Sequence, residues 1–245
     1  MFGKWLMQHI DEPAGVDPIF LDDFATSCYC ALMQSGELLI GAADMSVIEG
    51  GVDWPRLRPR LPDLGAGDFL ILEANLSPQL VRRLIRHAGS RTRIVFESVS
   101  VAKLLRHAEV LRNLYLLSGN EAELRALGEW FRSAGDRAEP VGRSTASSSD
   151  AWIDRFMRQR KIERMLMTRA GRGVRLYRLD SPLPGAGVNR LSLRPQRLLP
   201  SADTTGAGDR LLSAYLEALR PGAAEEPALR QALTVVESSI EEGSL

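Results

Sequence analysis

Phe69-Leu-Ile-Leu-Glu73, Ser77-Pro-Gln-Leu-Val-Arg-Arg-Leu-Ile-Arg-His-Ala-Gly89 and Arg93-Ile-Val-Phe96 succeed one another with only short connections. The first and third pieces are short apolar runs, the mark of strands buried on both faces. The middle piece has helical period. Ser77 suits the N-cap and Pro78 the first turn, Leu80, Val81, Leu84 and Ile85 make one apolar stripe, and Gly89 closes the helix. Strand, helix and strand in that order define a parallel pair with a crossover, and hence an α/β fold.

The alternation continues outward. Val101 to Leu111 is helical, Leu114–Leu117 a strand, Asn120 to Phe131 a helix, Ala151 to Arg160 a helix and Arg164–Thr168 a strand. Gly171-Arg-Gly173 turns the chain into a further strand at Val174–Tyr177, a strand near Leu191–Leu193 comes next, and two helices finish the chain. Residues 143–150 and 181–188 read as polar or Pro/Gly-rich loops. Upstream, Cys28–Met33 and Glu37–Ala42 flank Gln34-Ser35-Gly36 and form a β-hairpin outside the alternation. Trp54 to Pro62 reads as a Pro/Arg-rich connector.

The 245 residues suffice for one large domain, expected to span 1–245 with the hairpin at about 25–48 as a lid. Lysine plus arginine and aspartate plus glutamate both number 31, so the totals give no reason to expect a nucleic-acid partner. No stretch is long and apolar enough to span a membrane. The opening Met1-Phe2-Gly3-Lys4-Trp5 lacks a signal-peptide core, so a cytoplasmic location is expected. Cys28 and Cys30 are two apart, face the same side of a strand and read as reduced thiols. His9, His87 and His107 are scattered and read as surface or structural residues.

Gly-Ala-Gly-Asp occurs twice, at 65–68 and 206–209. A strand succeeds the first copy and a helical pattern, Arg210-Leu-Leu-Ser-Ala-Tyr-Leu216, succeeds the second. Only the second sets glycines at a helix N-terminus, where backbone N–H groups and the dipole favour an anion. Thr204 and Thr205 can cap that helix or donate to phosphate oxygens. An aspartate at the mouth of an anion hole is a poor phosphate ligand but a good acceptor for the proton of an attacking hydroxyl. The first copy is read as a connecting turn.

Residues 203–216, Asp-Thr-Thr-Gly-Ala-Gly-Asp-Arg-Leu-Leu-Ser-Ala-Tyr-Leu, resemble the C-terminal signature of the PfkB, or ribokinase-like, family of carbohydrate and nucleoside kinases. Asn120-Glu-Ala-Glu123 resembles the family's N-x-x-E element. Thr168-Arg-Ala-Gly-Arg-Gly173 resembles its T-x-G-x-x-G turn, with Ala170 in the place of the first glycine. Ala43-Asp44-Met45, Glu73-Ala-Asn-Leu76 and Glu97-Ser-Val-Ser-Val-Ala-Lys103 together look like pseudouridine kinases, with Ser98 where those usually carry proline.

The resemblance implies a three-layer α/β/α sandwich with a mostly parallel sheet. It also implies ATP-dependent phosphorylation of a nucleoside or sugar hydroxyl, pseudouridine foremost, with Mg²⁺ and a monovalent cation such as K⁺. Asp209 would be the catalytic base and Gly206, Ala207 and Gly208 the anion hole. Thr168, Gly171, Gly173, Thr204 and Thr205 would border the nucleotide, with residues near Val236–Ser239 along adenine. Asn120 and Glu123 would organise the metal through water, while Ser100, Lys103 and Asp203 would contact the substrate. A homodimer through the lid is implied as well. Residues 1–24 do not resemble the family's first strand–helix units, which carry sugar-binding groups, so the chain is expected to be an N-terminally shortened relative. The alternatives are a ribokinase, fructokinase or adenosine-type kinase, or a non-catalytic binding or regulatory protein on the same scaffold.

Overall fold

A computed structural model describes residues 2–8, 15, 17–34, 37–134, 151–180, 187–197, 206–219 and 223–241. In chain order the elements are α1 (Phe2–Met7), β1 (Cys28–Gln34), β2 (Glu37–Asp44), α2 (Trp54–Leu57), β3 (Phe69–Glu73), α3 (Pro78–Ala88), β4 (Arg93–Glu97), α4 (Val101–His107), β5 (Leu114–Asn120), α5 (Glu121–Ser133), α6 (Ala151–Arg160), β6 (Ile162–Thr168), β7 (Val174–Leu179), β8 (Val188–Leu193), α7 (Ala207–Ala218) and α8 (Glu225–Glu241). The main sheet has the order β3-β4-β5-β6-β7-β8. Its first four strands are parallel and β7 and β8 are antiparallel.

Each of the first four strands lies beside the one before it, so crossovers of one hand carry all their helices to the same face. Helices α3, α4, α5 and α6 share a core with Ile94, Phe96, Met165 and Met167. On the other face, α7 and α8 pack on Val95, Leu116 and Leu166. The switch from Ile94 and Phe96 to Val95, and from Met165 and Met167 to Leu166, is the two-residue period of a strand buried on both sides. Three layers result.

The β3–α3–β4 unit forms as its sequence predicts, with β4 one residue longer, to Glu97. Ser77 Oγ accepts from Leu80 N at 3.3 Å, and Gly89 takes φ 69° to leave the helix. The first Gly-Ala-Gly-Asp is a turn: Asp68 N donates to Gly65 O at 3.2 Å and Gly65 N to Asp68 Oδ2 at 2.7 Å. The connector after Trp54 is not wholly irregular, for it holds α2 and a 3₁₀ turn at Arg58–Arg60. Asp53 caps α2 by accepting from Arg56 N at 3.0 Å, and Pro55 sits in its first turn. Helix α4 ends at His107 rather than Leu111. His107 is buried there, with Nδ1 2.8 Å from Lys103 O and Nε2 2.9 Å from Leu76 O, a structural role. His9, the whole 143–150 loop and the 181–186 part of the later loop lie outside the described residues, as do Asp203, Thr204 and Thr205.

Candidate active site

Parallel strands bring their C-terminal ends to one edge of a sheet, and ligands of open α/β folds bind beyond that edge. Here Glu73, Glu97, Asn120 and Thr168 are the last residues of β3, β4, β5 and β6. Glu73 is in register with Glu97 and Asn120 with Thr168. All four line a pocket of about 570 Å³, whose far side is the start of α7, with Gly206, Ala207, Gly208 and Asp209. The turn with Gly171 and Gly173 closes one flank, and Val236 of α8 another.

Helix α7 begins without a side-chain cap. Gly206 is its N-cap with φ 83°, a conformation that favours glycine, and Arg210 N donates to Gly206 O at 3.0 Å. The N–H groups of the first turn have no intrahelical acceptor, and the residues that carry them line the pocket. Among the described residues no atom stands within 4 Å of where a Cβ at Gly208 would lie. Asp209 is exposed in this first turn.

Asn120 and Glu123 form a capping box at the start of α5. Asn120 Oδ1 accepts from Glu123 N at 3.0 Å, and Glu123 Oε2 accepts from Asn120 N at 2.8 Å. Glu123 Oε1 accepts from Asn120 Nδ2 at 2.7 Å and Oε2 also accepts from Ser98 Oγ at 2.5 Å. The serine that stands where pseudouridine kinases usually carry proline therefore holds Glu123. Gly119 makes room for this contact, since a Cβ there would lie 2.5 Å from Ser98 Oγ.

Glu97 lines the pocket but is not among the site residues that the sequence points to. Its Oε2 is buried without a hydrogen-bond partner. Burial pushes its carboxyl up to about 7; the nearby charges of Glu123 and Asp209 push the same way, against donors from Ser118 and the Val99 N–H. Val99 has φ 62°, rare for a β-branched residue, within a γ-turn closed by Ser100 N to Ser98 O at 2.6 Å. The only signal in the sequence is that Glu97 ends a parallel strand.

The turn after β6 is held against α5 by Glu121, which pairs with Arg172 and stands 3.8 Å from Arg169 Nε. Gly173 takes φ 83°, and a Cβ there would strike Leu193 O at 2.1 Å. Ala170 adopts φ 49°, a left-handed backbone that glycine takes more readily than alanine. Ser100 and Lys103 do not line the pocket. Ser100 is the N-cap of α4, and Lys103 Nζ bonds Asn75, whose amide donates to Glu73 Oε1 at 2.8 Å. Ser239 is turned inward and donates to Val235 O at 2.9 Å.

The residues present fit a nucleotide phosphate and a hard divalent cation. The helix start supplies N–H donors, and carboxylate oxygens, one of them orphaned and buried, suit Mg²⁺. Among the described residues no three His, Cys, Asp or Glu side chains group closely enough to hold a metal together, so contact through water is the arrangement that fits.

No protein-family model matches the chain. Residue by residue it is 28% identical, over 148 residues, to a pseudouridine-metabolizing bifunctional protein of Schizosaccharomyces pombe, spanning 56% of this chain and 19% of that protein. In structure it resembles a carbohydrate kinase from Agrobacterium tumefaciens, with TM-score 0.55, 25% identity and coverage of 91% of this chain and 64% of that one. It also resembles the Arabidopsis thaliana ribokinase complexed with ribose and ATP, with TM-score 0.54, 16% identity and coverage of 71% and 49%. The chain thus spans less than two thirds of each of these proteins. Its fold is the ribokinase-like α/β/α sandwich of PfkB-type sugar kinases.

Proposed function

We propose that the chain is an ATP-dependent kinase of a nucleoside or sugar hydroxyl, with the 5′-hydroxyl of pseudouridine as the favoured acceptor. The observation that carries this reading is Asp209 in the first turn of an uncapped helix, opposite strand ends that carry Glu97 and Asn120. Asp209 accepts the hydroxyl proton as the acceptor oxygen bonds to the γ-phosphorus and the bond to the β–γ bridging oxygen breaks, releasing ADP. The N–H groups of Gly206, Ala207 and Gly208 hold the charge that grows on the transferred group. Mg²⁺, when bound, neutralises phosphate charge. Glu97 Oε2, Asn120 and Glu123 are the residues that would hold it through water. Thr168, Gly171 and Gly173 border the nucleotide, with Thr204 and Thr205 completing that border. Val236 gives adenine an apolar wall.

Lys103, Ser100 and Asp203 serve the acceptor in this reading. Lys103 reaches the pocket edge only through Asn75 and Glu73, so it acts on substrate after leaving Asn75. The name of the Schizosaccharomyces pombe relative supports pseudouridine over the ribokinase, fructokinase and adenosine-type alternatives. K⁺ is the monovalent cation expected to assist. The hairpin serves as a lid and as a dimer contact, since Leu32, Met33, Leu39 and Ile40 are all exposed on it.

The test is transfer of labelled γ-phosphate from ATP to pseudouridine, uridine, adenosine, ribose and fructose. Pseudouridine is expected to be labelled fastest, and by Asp209→Asn about 10²–10⁴-fold more slowly. Equal behaviour of the two chains with every acceptor ends the kinase reading, leaving a binding or regulatory protein. Preference for ribose ends only the choice of acceptor.

A further inference from the structure

At the opposite edge of the sheet lies a second cavity, of about 540 Å³. It is formed by α3, by the turn between α4 and β5, and by the end of α6. Its lining carries Arg82, Arg86, Arg112 and Arg160 against one carboxylate, Glu109. A hollow of about 380 Å³ adjoins it, shares Arg112 and Arg160, and adds Lys161. Among the described residues no carboxylate pairs with Arg82, Arg86, Arg112 or Lys161. This sets them apart from Arg56, Arg106, Arg158 and Arg230, which all have a partner.

Arg160 is held in place rather than loose. Its guanidinium lies 5.6 Å from the Trp130 ring centroid and 5.9 Å from that of Phe156, and Nη1 donates to Glu109 O at 3.1 Å. Burial and the like charge of Arg112 depress its pKa, although Glu109 works the other way. Four non-glycine residues among those described have positive φ, and the cavities share them evenly. Val99 and Ala170 line the pocket at the strand C-termini, whereas Asn113 (φ 56°) and Lys161 (φ 53°) line the basic hollow. Backbone held in this region concentrates where side chains are being aimed at something.

We infer that this basic cavity is a second binding site, for a small phosphorylated molecule, at the edge of the sheet away from Asp209. Several guanidinium groups around one hollow are the donor set that phosphate oxygens take bidentately. Ile85 and Val110 give the hollow an apolar floor, which suits a phosphate ester with an organic body. A polynucleotide fits less well. It wants an extended basic stripe with open aromatic faces, and the Trp130 face is covered by Arg160. The inference goes beyond the kinase reading and does not rest on it.

Calorimetric titration of the full chain with pyrophosphate, with adenosine 5′-monophosphate and with a single-stranded oligonucleotide tests it without any turnover. The comparison is between Arg82→Glu/Arg86→Glu, at exposed positions, and Gly208→Asp, which sets a carboxylate where a Cβ meets open space. The expected result is that Gly208→Asp, with its anion hole closed, still binds pyrophosphate or the monophosphate, and the arginine substitutions are read in that background. The double variant should bind at least about tenfold more weakly, as loss of charge-assisted hydrogen bonds requires. Arg112→Gln should weaken binding in the same sense, which guards against a folding defect in the double variant. Tighter binding of the monophosphate assigns an organic phosphate; tighter binding of pyrophosphate assigns an inorganic one. Three results overturn the inference: no binding to the wild type, loss of binding in Gly208→Asp with the arginine variants unchanged, or an arginine-dependent preference for the oligonucleotide.

Discussion

The two ends of the parallel strands are opposites in charge. Past their C-termini stand Glu73, Glu97, Glu123 and Asp209, and before their N-termini stand Arg82, Arg86, Arg112, Arg160 and Lys161. The totals of 31 basic and 31 acidic residues cancel this completely. Net charge is a statement about the whole field of a protein, while a site responds to the charges that converge on it. At the acidic end burial, with the charges of Glu123 and Asp209 adding to it, holds a proton on Glu97 up to about pH 7. At the basic end it bears on Arg160.

The hardest blow to the acidic end is Asp209→Asn. Phosphoryl transfer should fall by about 10²–10⁴-fold, the usual worth of a general base, with nucleotide binding retained; single-turnover kinetics and a binding titration separate the two. Glu97→Gln comes next. The Glu97 carboxyl keeps its proton to about pH 7 in the folded chain but to its ordinary 4.5 when unfolded. The folded state thus binds the extra proton between those values, and stability falls as pH rises through them. The wild type should lose about 3 kcal/mol relative to Glu97→Gln on going from acid to mildly alkaline pH, read from urea midpoints. Equal pH profiles for the two chains would show that Glu97 is not strained by burial.

Gly119→Ala drives a methyl into Ser98 and Glu123 and should cost about 1–3 kcal/mol by the same measurement, with Asn120 and Glu123 displaced. The smallest effect sharpens the comparison between the ends. Ala170→Gly at one and Lys161→Gly at the other should each raise stability by about 1 kcal/mol, because both residues now stand at positive φ. A gain at only one end would mean that the other backbone is held there by contacts the substitution disturbs.

How much the sequence disclosed depends on the range of the forces. The β3–α3–β4 unit was legible in its order and its helix ends because the period, the Ser77 cap and the Gly89 exit are local, but β3 proves to be an edge strand with Ile71 exposed, a matter of sheet order that its own residues do not carry. The two Gly-Ala-Gly-Asp copies were separable because the first runs into a strand and the second into a helix. Asn120 and Glu123 were legible as a spaced pair, but not the Ser98 hydroxyl that holds Glu123 from another strand end. Glu97 was illegible because its burial, and the charges of Glu123 and Asp209 near it, come from parts of the chain distant in sequence. The short α2 was illegible because it is a single turn, fixed by Asp53 and by Trp54 lying edge-on to His87 at 5.4 Å. The basic cavity was hidden for a similar reason: its arginines are dispersed from α3 to α6 and only folding gathers them.

The hairpin of β1 and β2 leaves a consequence in time rather than in space. Its strands pack chiefly on each other, and β1 is exposed along its whole length. Its opening therefore gives up little that the main sheet depends on. Its amide hydrogens should exchange with solvent in a fast, separate phase, while those of β4, β5 and β6 wait for global unfolding. A ribbon that can come undone alone, over a sheet that cannot, gives one chain two clocks.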